Sequence, residues 1–123
     1  MLRIPLTSPR VESRAVDATC NPYLAAAAYL EAGLEGIEKG LDPGEPRHEN
    51  MYLLSDAQLA ERGVKMLPRT LLEAVEAFDA DPLMERVFGP ELRTAYVDLK
   101  SREWWDYHNH ISAWEIDRYL TFF

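Results

Sequence analysis

The chain has 123 residues, 47% of them hydrophobic, and a formal net charge of −8. This length suits at most one domain, and the hydrophobic fraction is enough for a core. The acidic balance, without any run of Lys or Arg, argues against nucleic acid as a partner, and no apolar run is long enough to span a bilayer. The single Cys20 cannot form an internal disulfide, so we expect a reducing cytosol and interpret Cys20 as a small buried side chain.

The first predicted element is one short strand at residues 10–16. Side chains two apart on a strand point to the same face, so Glu12 and Arg14 would present a carboxylate beside a guanidinium. Because a lone strand leaves its backbone groups unpaired, another chain supplies the partner strand or the strand is lost. For this N-terminal segment we therefore expect at most one short hairpin, near residues 3–16.

The second predicted element is a helix that runs to about Lys39. Asn21 suits the N-cap position, Pro22 suits the first turn, and Gly40 suits the stop. Apolar residues are dense on most faces of this helix, which indicates burial on most of its faces.

The remaining chain predicts short helices between polar loops. After a loop at residues 40–54, three capping boxes begin helices: Ser55 with Gln58, Thr70 with Glu73, and Ser112 with Glu115. A turn from Asp81 to Phe88 and a long helix at about 90–108, opened by Gly89-Pro90, lie between the last two boxes. The last box precedes a helix at about 113–121. The sequence therefore predicts a mainly α fold with one short strand or hairpin near its N-terminus.

Aromatic residues are concentrated near the C-terminus. They are Trp104, Trp105, Tyr107, Trp114, Tyr119, Phe122 and Phe123. Aromatic side chains at helical spacing usually belong to a core, and any exposed part of this group would suit an interface.

The segment from Glu12 to Leu24 fits the pattern E-x-R-x-x-D-x-x-x-N-P-Y-L. Further motifs are A-G-L-E-G-I at residues 32–37, L-P-R-T-L-L-E-A at 67–74 and S-A-W-E-I-D-R-Y-L-T-F-F at 112–123. In this order, and over nearly the whole chain, they resemble the C-terminal part of the catalytic domain of glutamine synthetases, in the branch that includes glutamate–methylamine ligases. The resemblance implies a single partial domain, residues 1–123, from about the last quarter of such an enzyme. We therefore expect a truncated product.

The resemblance also implies roles for four residues. Glu12 matches a glutamate that ligands one of the enzyme's paired Mg²⁺ or Mn²⁺ ions, and Arg14 matches a catalytic arginine that contacts the transferred phosphoryl group or the substrate carboxylate. Arg3 matches an arginine near the substrate and the phosphate, and Tyr52 matches a tyrosine that some bacterial members nucleotidylate. Without the resemblance, Glu12 is a solvated glutamate, Arg14 pairs with Glu12 or Asp17, and Tyr52 is an ordinary loop residue.

The implied parent reaction joins ammonia or a small amine to the γ-carboxylate of glutamate, by way of γ-glutamyl phosphate formed from ATP. Because the other metal ligands are missing, we expect this chain alone to hold neither the metal nor ATP tightly and to be inactive. The alternative is a stand-alone, non-catalytic helical module for interaction or oligomerisation. Under both interpretations we expect a homo-oligomer, because the first helix is apolar on most faces.

Overall fold

The structure is a computed structural model that describes residues 2–5 and 7–122. Its contacts divide the chain into two compact units, Met1–Leu41 and Asp42–Phe123. The first unit contains a pair of short strands and a helix, and helices dominate the second. None of the described helices has both the length and the apolar character needed to cross a membrane.

The first unit begins with a short antiparallel hairpin. Strand β1 (Leu2–Arg3) pairs with β2 (Glu12–Ser13), and Arg3 lies opposite Glu12. The partner strand comes from the chain itself, so the expectation that a second chain supplies it or that the strand is lost is wrong. The strand is also shorter than residues 10–16, because local bonds replace the ladder on both sides. The Arg10 amide donates to the Ser8 carbonyl, and the Ala15 amide donates to Ser13 Oγ.

Helix α1 (Pro22–Glu38) confirms the predicted helix and both of its ends. The Asn21 side chain accepts hydrogen bonds from the amides of Tyr23 and Leu24. At the other end Lys39 is the C-cap, and Gly40 has a φ of 58°, a conformation that favours glycine. No residue of α1 is buried, so this chain does not provide the burial that the apolar pattern predicts.

The second unit contains the other helices. They are a 3₁₀ turn at Met51–Leu53, α2 (Asp56–Glu61), α3 (Leu71–Ala80), α4 (Pro82–His108) and α5 (Ala113–Tyr119). The capping boxes at the starts of α2 and α5 are both reciprocal, which confirms those predictions. The box before α3 forms only in part. Thr70 accepts from the amide of Glu73, but the Glu73 carboxylate accepts from the amide of Arg69, at 2.7 Å.

A break at Gly89 divides α4 into two helical segments. The second begins at the Gly89-Pro90 pair, as predicted, but the first, predicted as a turn from Asp81 to Phe88, is helical from Pro82. Gly89 has φ 71° and ψ 161°, a region of backbone conformation that is essentially restricted to glycine. Pro90 has no amide hydrogen to donate, so the helical hydrogen-bond ladder is also interrupted there.

Helix α3 packs against α4 on both sides of this break. The ring of Phe78 lies 5.4 Å from that of Phe88 before the break and 5.2 Å from that of Tyr96 after it. Arg93 contacts α3 through Asp79, with Nη2 2.6 Å from Oδ1, and its Nη1 lies 3.9 Å from Oε2 of Glu85. The aromatic and ionic contacts together fix the angle between the two segments of α4.

The core of the described residues is small. Leu59, Val75 and Leu83, all in the second unit, are the only buried hydrophobic side chains among residues 2–5 and 7–122, with 6–7% of their surface exposed. The aromatic group is mostly outside this core, since Trp105, Tyr107, Trp114, Tyr119 and Phe122 expose 51–79% of their surface. Phe123 lies outside the described residues. Cys20 is exposed, so the prediction of its burial is wrong.

Replacing Gly89 with alanine should destabilise the second unit by about 1–3 kcal/mol, because a Cβ is strained at this φ and ψ. No atom would contact the added Cβ, so the cost comes from the backbone alone. The control is Gly33→Ala in α1, where space is equally open and φ is helical. It should stabilise the helix by about 0.5–1 kcal/mol. Urea unfolding followed by circular dichroism measures both changes, and equal effects of the two substitutions would contradict the strain at Gly89.

The cap of α5 should weaken in acid. Glu115 accepts hydrogen bonds from the amide and the hydroxyl of Ser112, both at 2.8 Å, and these lower the pKa of its carboxyl below the ordinary value. The stabilisation is therefore complete above the pKa of Glu115 in the unfolded chain and is lost as pH falls through the lowered folded value. NMR shifts of the amides at residues 113–119 should report this loss. Glu115→Gln should remove the pH dependence, because an amide oxygen accepts at any pH.

Candidate functional site

The hairpin brings two of the predicted site residues together. Arg3 and Glu12 lie opposite each other in the register of β1 and β2, and Arg3 Nη1 is 3.5 Å from Glu12 Oε2. Antiparallel pairing therefore places a guanidinium and a carboxylate, nine residues apart in sequence, side by side. The Glu12 side chain is 28% exposed, so it is not fully withdrawn from solvent.

The closest partner of Glu12 is Arg10, which sequence reasoning missed. Arg10 Nε and Nη2 lie 2.8 and 2.6 Å from Glu12 Oε1. Arg10 precedes Glu12 by two residues, just as Arg14 follows it by two. The same-face rule that selected Arg14 would therefore also have selected Arg10.

Arg14 lies just beyond the end of β2, and its side chain is exposed. The predicted ion pair with Glu12 or Asp17 does not form. Glu12 pairs with Arg3 and Arg10, and the Asp17 carboxylate accepts from the amide and hydroxyl of Thr19, both at 2.7 Å. These two hydrogen bonds lower the pKa of Asp17. The Arg14 guanidinium thus keeps its donors for a group other than these two carboxylates.

The hairpin region is positively charged in an acidic protein. Residues 2–16 contain three arginines and one glutamate, a formal charge of +2 within a chain of −8. A local excess of guanidinium groups attracts anions, and each planar group can bind phosphate or carboxylate oxygens in a bidentate manner. The arrangement therefore suits an anionic oxygen ligand.

One hydrogen bond attaches the hairpin to α1. Ser13 Oγ on β2 and Tyr29 Oη on α1 lie 2.6 Å apart. Because Ser13 is the neighbour of Glu12, this bond anchors the strand that carries Glu12.

Glu12 fits one part of a metal site. Its carboxylate supplies the hard oxygen ligands that Mg²⁺ and Mn²⁺ prefer. Within residues 2–5 and 7–122, however, no three His, Cys, Asp or Glu side chains lie close enough together to hold a metal ion. The residues described thus offer a single ligand at this position rather than a complete coordination sphere.

Tyr52 belongs to the second unit and lies in the 3₁₀ turn. It is 92% exposed, and its amide donates to the side chain of Asn50. An ion pair of 3.2 Å between Glu49 and Arg62 holds the same loop on the end of α2. The tyrosine hydroxyl is therefore accessible on an anchored loop.

The second unit also has a shallow cleft of about 410 Å³. It is lined by Arg69, Thr70, Leu71, Glu103, Trp104 and Tyr107, none of which is a predicted site residue. Its charged groups are paired, since Arg69 lies 2.7 Å from Asp56 and Glu103 lies 2.6 Å from Lys100. The hairpin is therefore the better candidate site, because its guanidinium groups outnumber the carboxylate that they share.

Comparison with known proteins gives consistent matches along the whole chain. The profile of the family described as glutamine synthetase, catalytic domain, matches residues 1–119. The chain is 43% identical to a glutamate–methylamine ligase of Methyloversatilis universalis over 123 residues, which are 100% of this chain and 27% of the relative. It is 44% identical to a glutamine synthetase of Archaeoglobus fulgidus over 98% of this chain and 26% of the relative.

A solved structure gives the same result for the fold. The structure described as apo GmaS without ligand matches 98% of this chain with a TM-score of 0.77 and 36% identity, and the match covers 27% of that protein. The chain thus spans about a quarter of the length of these relatives, at 26–27%.

Tyr29→Phe should loosen the hairpin, because it removes the hydrogen bond to Ser13. We expect the protection of the hairpin amides against hydrogen exchange to fall by about 0.5–1.5 kcal/mol. Tyr23→Phe, on the same helix but 84% exposed, is the matched control and should leave the protection unchanged. Ser13→Ala removes this bond and also the one from the Ala15 amide, so its effect should be at least as large as that of Tyr29→Phe, and the double variant should lose no more than Ser13→Ala alone. Additive losses would show that the two hydroxyl groups do not act through this bond.

Proposed function

Because the chain belongs to the glutamine synthetase family, we propose that it forms the C-terminal part of the catalytic domain of an ATP-dependent glutamate–ammonia or glutamate–amine ligase. The observation that carries this proposal is the family match over residues 1–119, together with 43% identity to a glutamate–methylamine ligase. Residues 1–123 would then be one part of a single catalytic domain.

The proposed reaction forms γ-glutamyl phosphate from glutamate and ATP, and ammonia or a small amine then displaces the phosphate. Its intermediates carry charged phosphate oxygens, so catalysis depends on positioned positive groups. The charge of +2 on residues 2–16 supports a place for the hairpin in this chemistry.

Each hairpin residue has a proposed role. Arg3 and Arg14 bind the transferred phosphoryl group or the substrate carboxylate with their guanidinium groups, and Arg14 is the catalytic one of the pair. Glu12 is one ligand of a Mg²⁺ or Mn²⁺ ion, which when bound neutralises charge on the phosphates. Arg10 is a positioning residue, since its two contacts of 2.6 and 2.8 Å hold the Glu12 carboxylate in place. Tyr52, at 92% exposure, is a candidate for modification.

The isolated chain should not catalyse the reaction. Stabilising phosphoryl transfer requires several groups positioned at once, and Glu12 is a single ligand here. We propose that the complete ligase is a homo-oligomer. The exposed free thiol of Cys20 is compatible with the reducing cytosol in which we expect that ligase to work.

A non-catalytic helical module is the second candidate function. Its support is the large number of exposed apolar side chains, which suit association with other proteins. The two candidates differ in one respect that can be tested, because only the ligase requires the Glu12 carboxylate and the guanidinium of Arg14.

A chimeric enzyme tests the ligase proposal. This chain would replace the matching 27% of the Methyloversatilis ligase, and γ-glutamyl transfer to ammonia and to methylamine would be measured. We expect activity, with a loss of about 100-fold or more for Glu12→Gln and for Arg14→Ala. Glu45→Gln, the same substitution in an exposed loop, is the matched control and should have no effect.

The second measurement is the ligase activity of the isolated chain. It should form no product above a buffer blank, and turnover that Glu12→Ala abolishes would show that it is complete by itself. A folded chimera without activity would favour the non-catalytic module. An active chimera that is indifferent to Glu12→Gln would refute the role of Glu12.

A further inference from the structure

The hydroxyl group of Ser13 connects three parts of the candidate site. Ser13 Oγ lies 2.6 Å from Tyr29 Oη, at the short end of the range for hydrogen bonds between hydroxyl groups. The same oxygen accepts a longer and weaker bond, at 3.4 Å, from the amide of Ala15. Because Arg14 lies between Ser13 and Ala15, this second bond closes a small turn around the backbone of Arg14. One side chain thus joins the strand that carries Glu12, the turn that carries Arg14 and helix α1.

Ser13 and Glu12 present opposite faces of the hairpin. They are the two residues of β2, so their side chains point in opposite directions. The Ser13 face is turned toward α1, where it contacts Tyr29. The Glu12 face carries the guanidinium groups of Arg3 and Arg10. The bond to Tyr29 therefore fixes which face of the strand is held against the helix and which face is presented to a ligand.

The hairpin is too short to maintain this orientation by itself. Each strand has two residues, and an isolated two-stranded hairpin is only marginally stable in water. The ion pair between Arg3 and Glu12 lies at the surface with its atoms 3.5 Å apart, so it adds little stability. Helix α1, in contrast, has 17 residues and is capped at both ends. The bond to Tyr29 thus gives β2 a support outside the hairpin.

We infer that Tyr29 is a positioning residue of the proposed ligase, which acts through Ser13 to hold the Glu12 carboxylate where a divalent cation binds. This inference rests on the proposed function, since it takes Glu12 as a metal ligand. A ligand on a strand that is free to move has to be ordered each time the cation binds, and this ordering lowers the affinity. Because the bond acts through the backbone, its effect should be smaller than that of a group bonded to the carboxylate directly.

A purely structural role is the alternative explanation of the same bond. Loss of the bond would then lower the stability of the fold, but it would leave the metal affinity of the folded molecules unchanged. The two roles therefore differ in one measurable quantity, which is the dissociation constant of a cation that binds at Glu12.

Binding of Mn²⁺ to the chimeric ligase tests the inference without turnover. The chimera again carries this chain in place of the matching 27% of the Methyloversatilis ligase, and free Mn²⁺ is measured by electron paramagnetic resonance. Glu12→Gln identifies the ion that depends on Glu12, because an amide lacks the charge of the carboxylate. Tyr29→Phe should raise the dissociation constant of that ion about two- to tenfold, the factor that corresponds to one lost hydrogen bond. The thermal unfolding midpoint of the chimera should stay unchanged.

Two further substitutions at Ser13 separate the hydroxyl group from the rest of the side chain. Ser13→Thr keeps the hydroxyl group and suits a strand, so it should bind Mn²⁺ like the unsubstituted chimera. Ser13→Ala removes the hydroxyl group and should weaken binding at least as much as Tyr29→Phe. Tyr96→Phe is the matched control and should leave binding unchanged. Tyr96 is 38% exposed, close to the 43% of Tyr29, but it lies in the second unit.

The positioning role and the proposed function can fail separately. If Glu12→Gln removes an ion but Tyr29→Phe leaves its dissociation constant unchanged, the inference is overturned and the proposed function stands. Equal weakening by Tyr29→Phe and Tyr96→Phe would overturn it as well. Weaker binding in both Tyr29→Phe and Ser13→Ala, in a chimera that makes no product, would support the positioning role and refute the proposed reaction. If Glu12→Gln leaves every ion bound, the metal role of Glu12 fails and the inference fails with it.

Discussion

Apolar surface that the chain does not cover by itself is the constraint on which its structure depends. Burial of side chains such as Tyr23, Leu30 and Ile37 would normally stabilise the fold, yet these remain in contact with water. With three buried hydrophobic side chains among the described residues, long-range packing contributes little. The described elements are therefore stabilised chiefly by local hydrogen bonds, within the helices and at their ends. The one substantial packing contact among them is between α3 and α4.

That packing contact depends on the break at Gly89. The break turns the second segment of α4 so that both Phe88 and Tyr96 reach Phe78 on α3. Arg93, one turn after the break, contacts Asp79 on α3 and approaches Glu85 on the first segment of α4. A conformation available to glycine thus makes an aromatic and an ionic contact possible at the same place, and these contacts join α3 to both segments of α4.

The candidate site depends on the pairing register of the two strands in the hairpin. The pairing of β1 with β2 sets Arg3 against Glu12, and a shift of one residue would turn the two side chains to opposite faces. The bond between Ser13 and Tyr29 then attaches this short ladder to α1. In the proposed ligase, α1 would therefore help to position the hairpin that carries the proposed phosphate-binding groups.

The sequence by itself determined where α1, α2, α3 and α5 begin, but it predicted a turn at Asp81 to Phe88, where the structure has the first segment of α4. Caps at Asn21, Ser55 and Ser112 could be predicted because each is a bond between residues two or three apart. The family was likewise readable from the order of the motifs.

Only the tertiary structure decided which side chains meet. The cap at Thr70 was read as a reciprocal box, but Glu73 bonds to Arg69 instead. Arg10, not Arg14, pairs with Glu12, because the strand ends at Ser13 and the preceding turn brings Arg10 to the carboxylate. The aromatic residues near the C-terminus and the apolar faces of α1 carry the pattern of a core, yet they are mostly exposed. A pattern of hydrophobic residues indicates that a face needs cover, but whether the same chain supplies that cover depends on contacts between distant elements, which local spacing does not encode.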